Sequence, residues 1–185
     1  MTRAFTIWTA VAALLCACSL VLILMSANAQ TTEEEAWETV ALVAGSTRQA
    51  SDGAVLFAHH CSACHGDTGG GIEEARLSFP ESHRDCTRCH KPNNPSTMLL
   101  EEMTPRNAFN VGLAPPLVGP GFDLSKYGSG AGLYAYVHAT MPRPFPAALD
   151  EDTYLAIVAF LMAANGVELS GELSAPSDLA DFSFR

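Results

Sequence analysis

The chain has 185 residues, enough for one modest domain with extensions, since domains typically hold roughly 100 to 150 residues. Ten Lys and Arg against twenty Asp and Glu give a formal charge of -10, which argues against nucleic acid and anionic membrane surfaces as partners. Acidity of this size either keeps the chain soluble or favours a partner with a basic docking surface. Complementary charge of that kind mainly speeds and orients encounter.

In chain order, Met1 to Arg3 carry one positive charge, and Ala4 to Ala27 form an uncharged run of 24 residues rich in Leu, Val, Ala and Ile. A bilayer needs about 20 residues, so the run is long enough to span. It ends in Ala27 Asn28 Ala29, an A-x-A pattern of the kind signal peptidases cut. Residues 1–29 therefore read as a signal peptide or a membrane anchor: length favours the anchor, the cleavage pattern its removal. Either way the rest of the chain is exported to the outer face of a bacterial cytoplasmic membrane or to the periplasm. Cys16 and Cys18 sit inside this run and read as small apolar packing residues. Residues 30–51 read as a linker, opening with Glu33 Glu34 Glu35 and closing with Gly45 Ser46 Thr47.

The globular domain is expected over 52–166. Gly53, Phe57 and Cys61 fall at i, i+4 and i+8, along one face of a helix, and a glycine there admits a second helix backbone. That second helix is expected after Asp150 as N-cap, with Tyr154, Ile157, Val158, Leu161 and Met162 as its apolar stripe and Asn165 Gly166 closing it.

Two copies of Cys-x-x-Cys-His dominate the middle: Cys61 Ser62 Ala63 Cys64 His65 and Cys86 Thr87 Arg88 Cys89 His90. This is the attachment pattern of a c-type haem. Two thiols three positions apart can each add across one porphyrin vinyl group, and the next residue then lies beneath the iron as an imidazole ligand. Cys61, Cys64 and His65 would hold one haem, and Cys86, Cys89 and His90 another. The two Cys-x-x-Cys pairs are 21 residues apart, a spacing that also nearly fits a four-cysteine zinc ribbon. Zinc held by four thiolates has no use for a histidine after each pair.

The glycines at 69, 70 and 71 read as a flexible turn; no Lys-Ser or Lys-Thr follows to make a phosphate cradle. Met141 offers a soft sulfur ligand for iron, in a loop stiffened by Pro142, Pro144 and Pro146. His138 reads as a surface or packing histidine. Residues 167–185, with scattered Ser, Gly, Pro and Asp, read as a partly ordered tail.

From Asp52 to Gly166 the chain resembles the class I c-type cytochromes, which carry Gly-x-x-x-Phe-x-x-x-Cys on an N-terminal helix crossing an aliphatic C-terminal helix. They also have a Pro-x-Leu-x-Gly type turn after the haem motif and a Met-Pro before the last helix. Here those elements read Gly53, Phe57 and Cys61, then Ile157 to Leu161, with Ala114 Pro115 Pro116 Leu117 Val118 Gly119 and Met141 Pro142 between them. The resemblance implies an all-α class I cytochrome c fold, preceded by the N-terminal apolar helix. It also implies His65 and Met141 as axial ligands of the first haem, and a hydrogen bond from His65 to the carbonyl of Pro115.

The departure is an insertion, Ile72 to Val111, that carries the second Cys-x-x-Cys-His. It is too short and too poor in apolar periodicity for a second complete domain, so the second haem is expected to share the first core. Met103 leads as distal ligand of that haem, ahead of Met98 and His60; His59, His83 or an open position also remain. The function implied is single-electron transfer between redox partner proteins, with no catalytic residue. The competing reading is a two-haem enzyme, peroxidase-like or oxyanion-oxidising, that keeps one iron position open.

Overall fold

The structure is a computed structural model that describes residues 43–44, 46–95 and 108–185. The N-terminal apolar run, most of the linker, Met98 and Met103 lie outside the described residues. Those residues form an all-α body: α1 (Arg48–His60), α2 (Ser62–His65), α3 (Ile72–Ala75), α4 (Gly130–Thr140) and α5 (Glu151–Ala164), with short 3-10 turns between them. Among the described residues the only strand-like pairing is an isolated bridge between Ser129 and Ser183. No described helix is long and apolar enough to cross a membrane.

Helix α1 starts at Arg48 rather than near Asp52, because Thr47 caps it, accepting from the Ala50 N–H at 3.2 Å. Its buried face is Ala50, Gly53, Ala54 and Phe57. Val43, placed in the linker by sequence, is also buried. Helix α5 begins at the Asp150 cap, whose carboxylate accepts from the Thr153 N–H at 2.7 Å, with Glu151 and Asp152 in the first turn where the helix dipole favours them.

The two helices cross at Gly53. A Cβ there would stand 1.9 Å from the carbonyl oxygen of Ala156, so only glycine fits. One turn on, the rings of Phe57 and Phe160 pack with centroids 5.0 Å apart. Every residue of α5 from Tyr154 to Met162 is buried, beyond the single stripe expected from spacing. A helix apolar all round lies inside its domain rather than on it.

The extra cover comes partly from the C-terminal segment, residues 167–185. Leu173 and Leu179 are buried in the core. Gln49 grips the segment twice: its side-chain amide donates to the Leu173 carbonyl at 2.9 Å and its side-chain oxygen accepts from the Leu173 N–H at 2.8 Å. The chain then bonds the start of α4, Gly130 N–H to Phe182 O at 2.8 Å and Phe184 N–H to Gly128 O at 3.0 Å.

Candidate functional site

Helix α1 ends as Cys61 leaves helical geometry, and α2 makes one tight turn over the first motif, His65 N–H donating to the Cys61 carbonyl at 3.0 Å. Gly66, at φ +81°, ends that turn. The turn places Cys61, Cys64 and His65 on the wall of an apolar cavity of about 500 Å³. Its far elements contribute Leu133 and Val137 of α4, Met141 and Arg143 of the following loop, and Ile157 of α5. The volume lies within the roughly 300 to 1,000 Å³ of small-molecule and cofactor sites.

His65 is the one buried polar side chain among the described residues. Its Nδ1 lies 2.9 Å from the carbonyl oxygen of Pro115, so Nδ1 carries the proton and donates, and Nε2 keeps its lone pair. Burial lowers its pKa, and the carbonyl bond offsets part of that. The imidazole is thus neutral and oriented.

The turn that supplies Pro115 is held from both sides. Leu117 N–H donates to Gly69 O at 2.7 Å and Ile72 N–H to Ala114 O at 2.9 Å. A Cβ at Gly71 would fall 2.7 Å from Pro116 N, so that glycine serves close approach. The glycine loop is also tied down: the Glu74 carboxylate accepts from Thr68 N–H at 2.7 Å and Gly70 N–H at 2.6 Å. At its other end Asn165 donates to Leu117 O and to Leu161 O, both at 2.8 Å, joining the turn to α5.

Met141 caps the end of α4, its N–H bonded to Val137 O at 2.8 Å. Its own carbonyl accepts from the Tyr154 hydroxyl at 2.6 Å. His138 stacks on Tyr134 and lies against Tyr154, with ring centroids 5.8 and 4.9 Å away. It is a packing residue. His60 lines the first cavity; its pKa is lowered by burial first and by neighbouring His59 second, with Asp150 opposing. His83 is exposed beside Ser82.

The second motif repeats the local chemistry on the surface. His90 N–H donates to Cys86 O at 2.9 Å, and His90 Nδ1 is hydrogen-bonded to the carbonyl of Phe109. The Phe109 ring stands edge-on to His90 with centroids 4.9 Å apart, and Phe109 also lines the first cavity. Asn94 fastens the motif to the returning strand of chain, donating to Cys89 O at 3.0 Å and Ala108 O at 2.7 Å. Cys86 is half-buried and Cys89 exposed.

Burial pushes the Cys61 thiol up to about 12, with Cys64 adding to it. Cys64 is raised as well, by burial first, then by nearby Cys86, while Arg143 pulls it down. The two motifs therefore lie close enough to feel each other's charge. Among the described residues no three His, Cys, Asp or Glu side chains converge on a point where they could share an ion. The raised pKa values of Cys61 and Cys64 disfavour the thiolates that a zinc site needs.

No family model, curated protein or solved structure matches the chain.

Sequence reasoning passed over Glu74, Phe109 and Arg143, and read Asn165 only as the end of its helix. Arg143 Nε is buried with no hydrogen-bond partner, and the guanidinium lies beside Gly112, whose Cβ would be 3.8 Å from its central carbon. The one available signal was an arginine set between Pro142 and Pro144, two residues after a candidate ligand.

Proposed function

We propose that the chain is a two-haem c-type cytochrome with a class I cytochrome c domain, carrying single electrons between a membrane or periplasmic redox complex and an acceptor. The observation that carries this reading is one apolar cavity walled by two thiols, a neutral imidazole with a free Nε2 and a methionine from a separate loop. The donor set fits haem: sulfhydryls for two vinyl additions, nitrogen and thioether sulfur for iron. The orphaned Arg143 Nε fits it too, since a porphyrin brings carboxylates into an otherwise apolar space.

When bound, the haem supplies a ferric/ferrous couple, and histidine with methionine gives it a higher potential than two nitrogen ligands. The chain does the rest. Cys61 and Cys64 would anchor the ring, while Pro115 fixes the His65 tautomer, Tyr154 holds the Met141 backbone and the apolar wall would exclude water. At the second site Cys86, Cys89 and His90 take the same parts, with Phe109 O standing where Pro115 O stands at the first.

Phe109 belongs to both sites, and Cys64 lies near Cys86, which supports a relay between adjacent haems. Met103 is proposed as the second distal ligand, since His60 lines the first cavity instead. No residue is proposed as catalytic. The partners proposed are redox proteins with basic docking surfaces, meeting a chain of charge -10. The domain would work at the periplasmic face of the membrane, anchored by residues 1–29, or in the periplasm after cleavage following Ala29.

The test is a pyridine haemochrome assay with intact mass on protein matured in a host that attaches haem c. Two covalent haems are expected. One equivalent would end the relay, and a colourless protein the whole reading.

A further inference from the structure

The chain is acidic as a whole, yet its cations are unevenly placed. Arg84, Arg88 and Lys91 fall within eight residues around the second Cys-x-x-Cys-His, against one carboxylate, Asp85, in the same stretch. All three are exposed, and the salt bridges among the described residues, Arg48 with Asp52 and Arg76 with Glu73, leave them out. Asp85 is engaged by the Thr87 hydroxyl at 2.8 Å. Residues 109–185, by contrast, carry eight carboxylates and three cations. The basic stretch lies in the insertion, 72–111, that the class I pattern lacks.

It also has an apolar neighbour. Leu77 is 61% exposed and Phe79 38%, two of the large apolar side chains that stand in solvent among the described residues. Arg84 fastens them to the basic stretch, its Nε donating to the Phe79 carbonyl at 3.0 Å and a terminal nitrogen to the Leu77 carbonyl at 3.4 Å. Exposed apolar and aromatic groups beside arginine are the composition of a protein-docking face. Cys89, a thiol of the second haem site, is exposed within the same stretch.

Net charge and local charge give opposite answers about the partner, and screening decides between them. At physiological salt the Debye length is about 8 Å, so two faces in contact read the charges on them and little of the rest. Three cations fall short of the roughly four to eight of a lipid-binding cluster. A second copy presenting the same patch would set cation against cation. An acidic protein face fits.

We infer that Leu77, Phe79, Arg84, Arg88 and Lys91 form the docking face for an acidic redox protein at the second haem, a partner opposite in charge to the one that the whole chain attracts. This rests on the two-haem reading given above. One electron crosses, from the partner's reduced centre to ferric iron or from ferrous iron to its oxidised centre; no proton moves and no bond changes.

The experiment is anaerobic stopped-flow reduction of the full-length, haem-loaded protein by reduced plant-type ferredoxin, an acidic one-electron donor, over a range of salt. Arg88→Glu with Lys91→Glu is set beside Arg48→Glu with Lys126→Glu, which changes the net charge equally at exposed positions elsewhere. In wild type the bimolecular rate is expected to fall as salt rises, although donor and chain are both acidic. Reversal at 88 and 91 is expected to slow it about tenfold at low salt and to remove that fall, and reversal at 48 and 126 to slow it less than about twofold. A change in the iron's potential alone would move the rate equally at every salt. A wild-type rate that climbs with salt overturns the inference, a result that needs no variant to fold, and so do equal effects of the two pairs. Binding to phosphatidylglycerol vesicles that only the 88 and 91 pair abolishes would make the face a membrane contact, and a dimer in sedimentation lost in that pair would make it a self-contact; either overturns it. Haem counts on the same samples separate this from failure of the cytochrome reading: two covalent haems with equal effects of the two pairs sink the docking face alone.

Discussion

The hydroxyl of Tyr154 donates to the carbonyl of Met141 across 2.6 Å. Tyr154 is buried on α5 and Met141 opens the proline loop after α4, so one hydrogen bond ties the loop's first residue to the most buried helix. Tyr154→Phe removes the bond and keeps the ring that packs on His138 and Tyr134. The variant is expected to fold and to lose about 1 kcal/mol, the usual net worth of such a bond. It is also expected to show a weaker sulfur-to-iron band in the oxidised state, as Met141 drifts. Full retention of that band would remove Tyr154 from the positioning of Met141.

Gly53 is where α1 and α5 touch. A methyl group there would meet the Ala156 carbonyl at 1.9 Å and Phe160 Cβ at 3.1 Å, and backbone cannot step aside as a flexible side chain can. Gly53→Ala should destabilise by about 3 kcal/mol, the upper end of ordinary overpacking. Gly171→Ala is the control, since nothing lies within 4 Å of its added methyl. Denaturant midpoints for both variants check this: equal midpoints would mean that the helices can separate at Gly53 without loss.

The helix crossing was legible because it rests on periodicity: Gly53, Phe57 and Cys61 mark one face by spacing alone, and Asp150 announces its helix as a cap. The Cys-x-x-Cys-His turns were legible because each is a short contiguous stretch whose residues share one turn of chain. The hydrogen bond from His65 to Pro115 was expected only through the family resemblance, since nothing in the intervening chain links residues fifty apart. Leu173 and Leu179 were missed because two leucines six residues apart, among Ser and Pro, show no helical or strand period. Their burial depends on Gln49 and Gly130 reaching them from distant parts of the chain. Glu74 was missed for a similar reason: a carboxylate that ties down a glycine loop looks like any solvated glutamate.

Asp150 gives the fold a pH dependence of known sign. Hydrogen bonds from Thr153 hold its carboxyl below the ordinary value of 3.8. A folded value below the unfolded one stabilises the fold above the unfolded pKa, and the contribution is lost as pH falls through the folded one. Asn caps as well as Asp but does not titrate there. Asp150→Asn should therefore lose less melting temperature than wild type on going from about pH 5 to about pH 2.5. Parallel losses in thermal melts of the two proteins would show that the cap contributes nothing to acid sensitivity.

Met141 is the proposed ligand most open to direct trial. In wild type the iron bound by His65 is expected to be closed by methionine sulfur, so carbon monoxide should bind the reduced protein poorly at that haem. Met141→Ala removes the sulfur and leaves the thiols, His65 and the Pro115 bond in place, so the haem count should stay at two while one further equivalent of carbon monoxide binds. Loss of a strong soft ligand should also lower that haem's potential. Carbon monoxide titration of both reduced proteins reads the difference. An unchanged titre would place Met141 among ordinary loop residues. Ready binding already in wild type, at either haem, would favour the open-iron enzyme over the carrier.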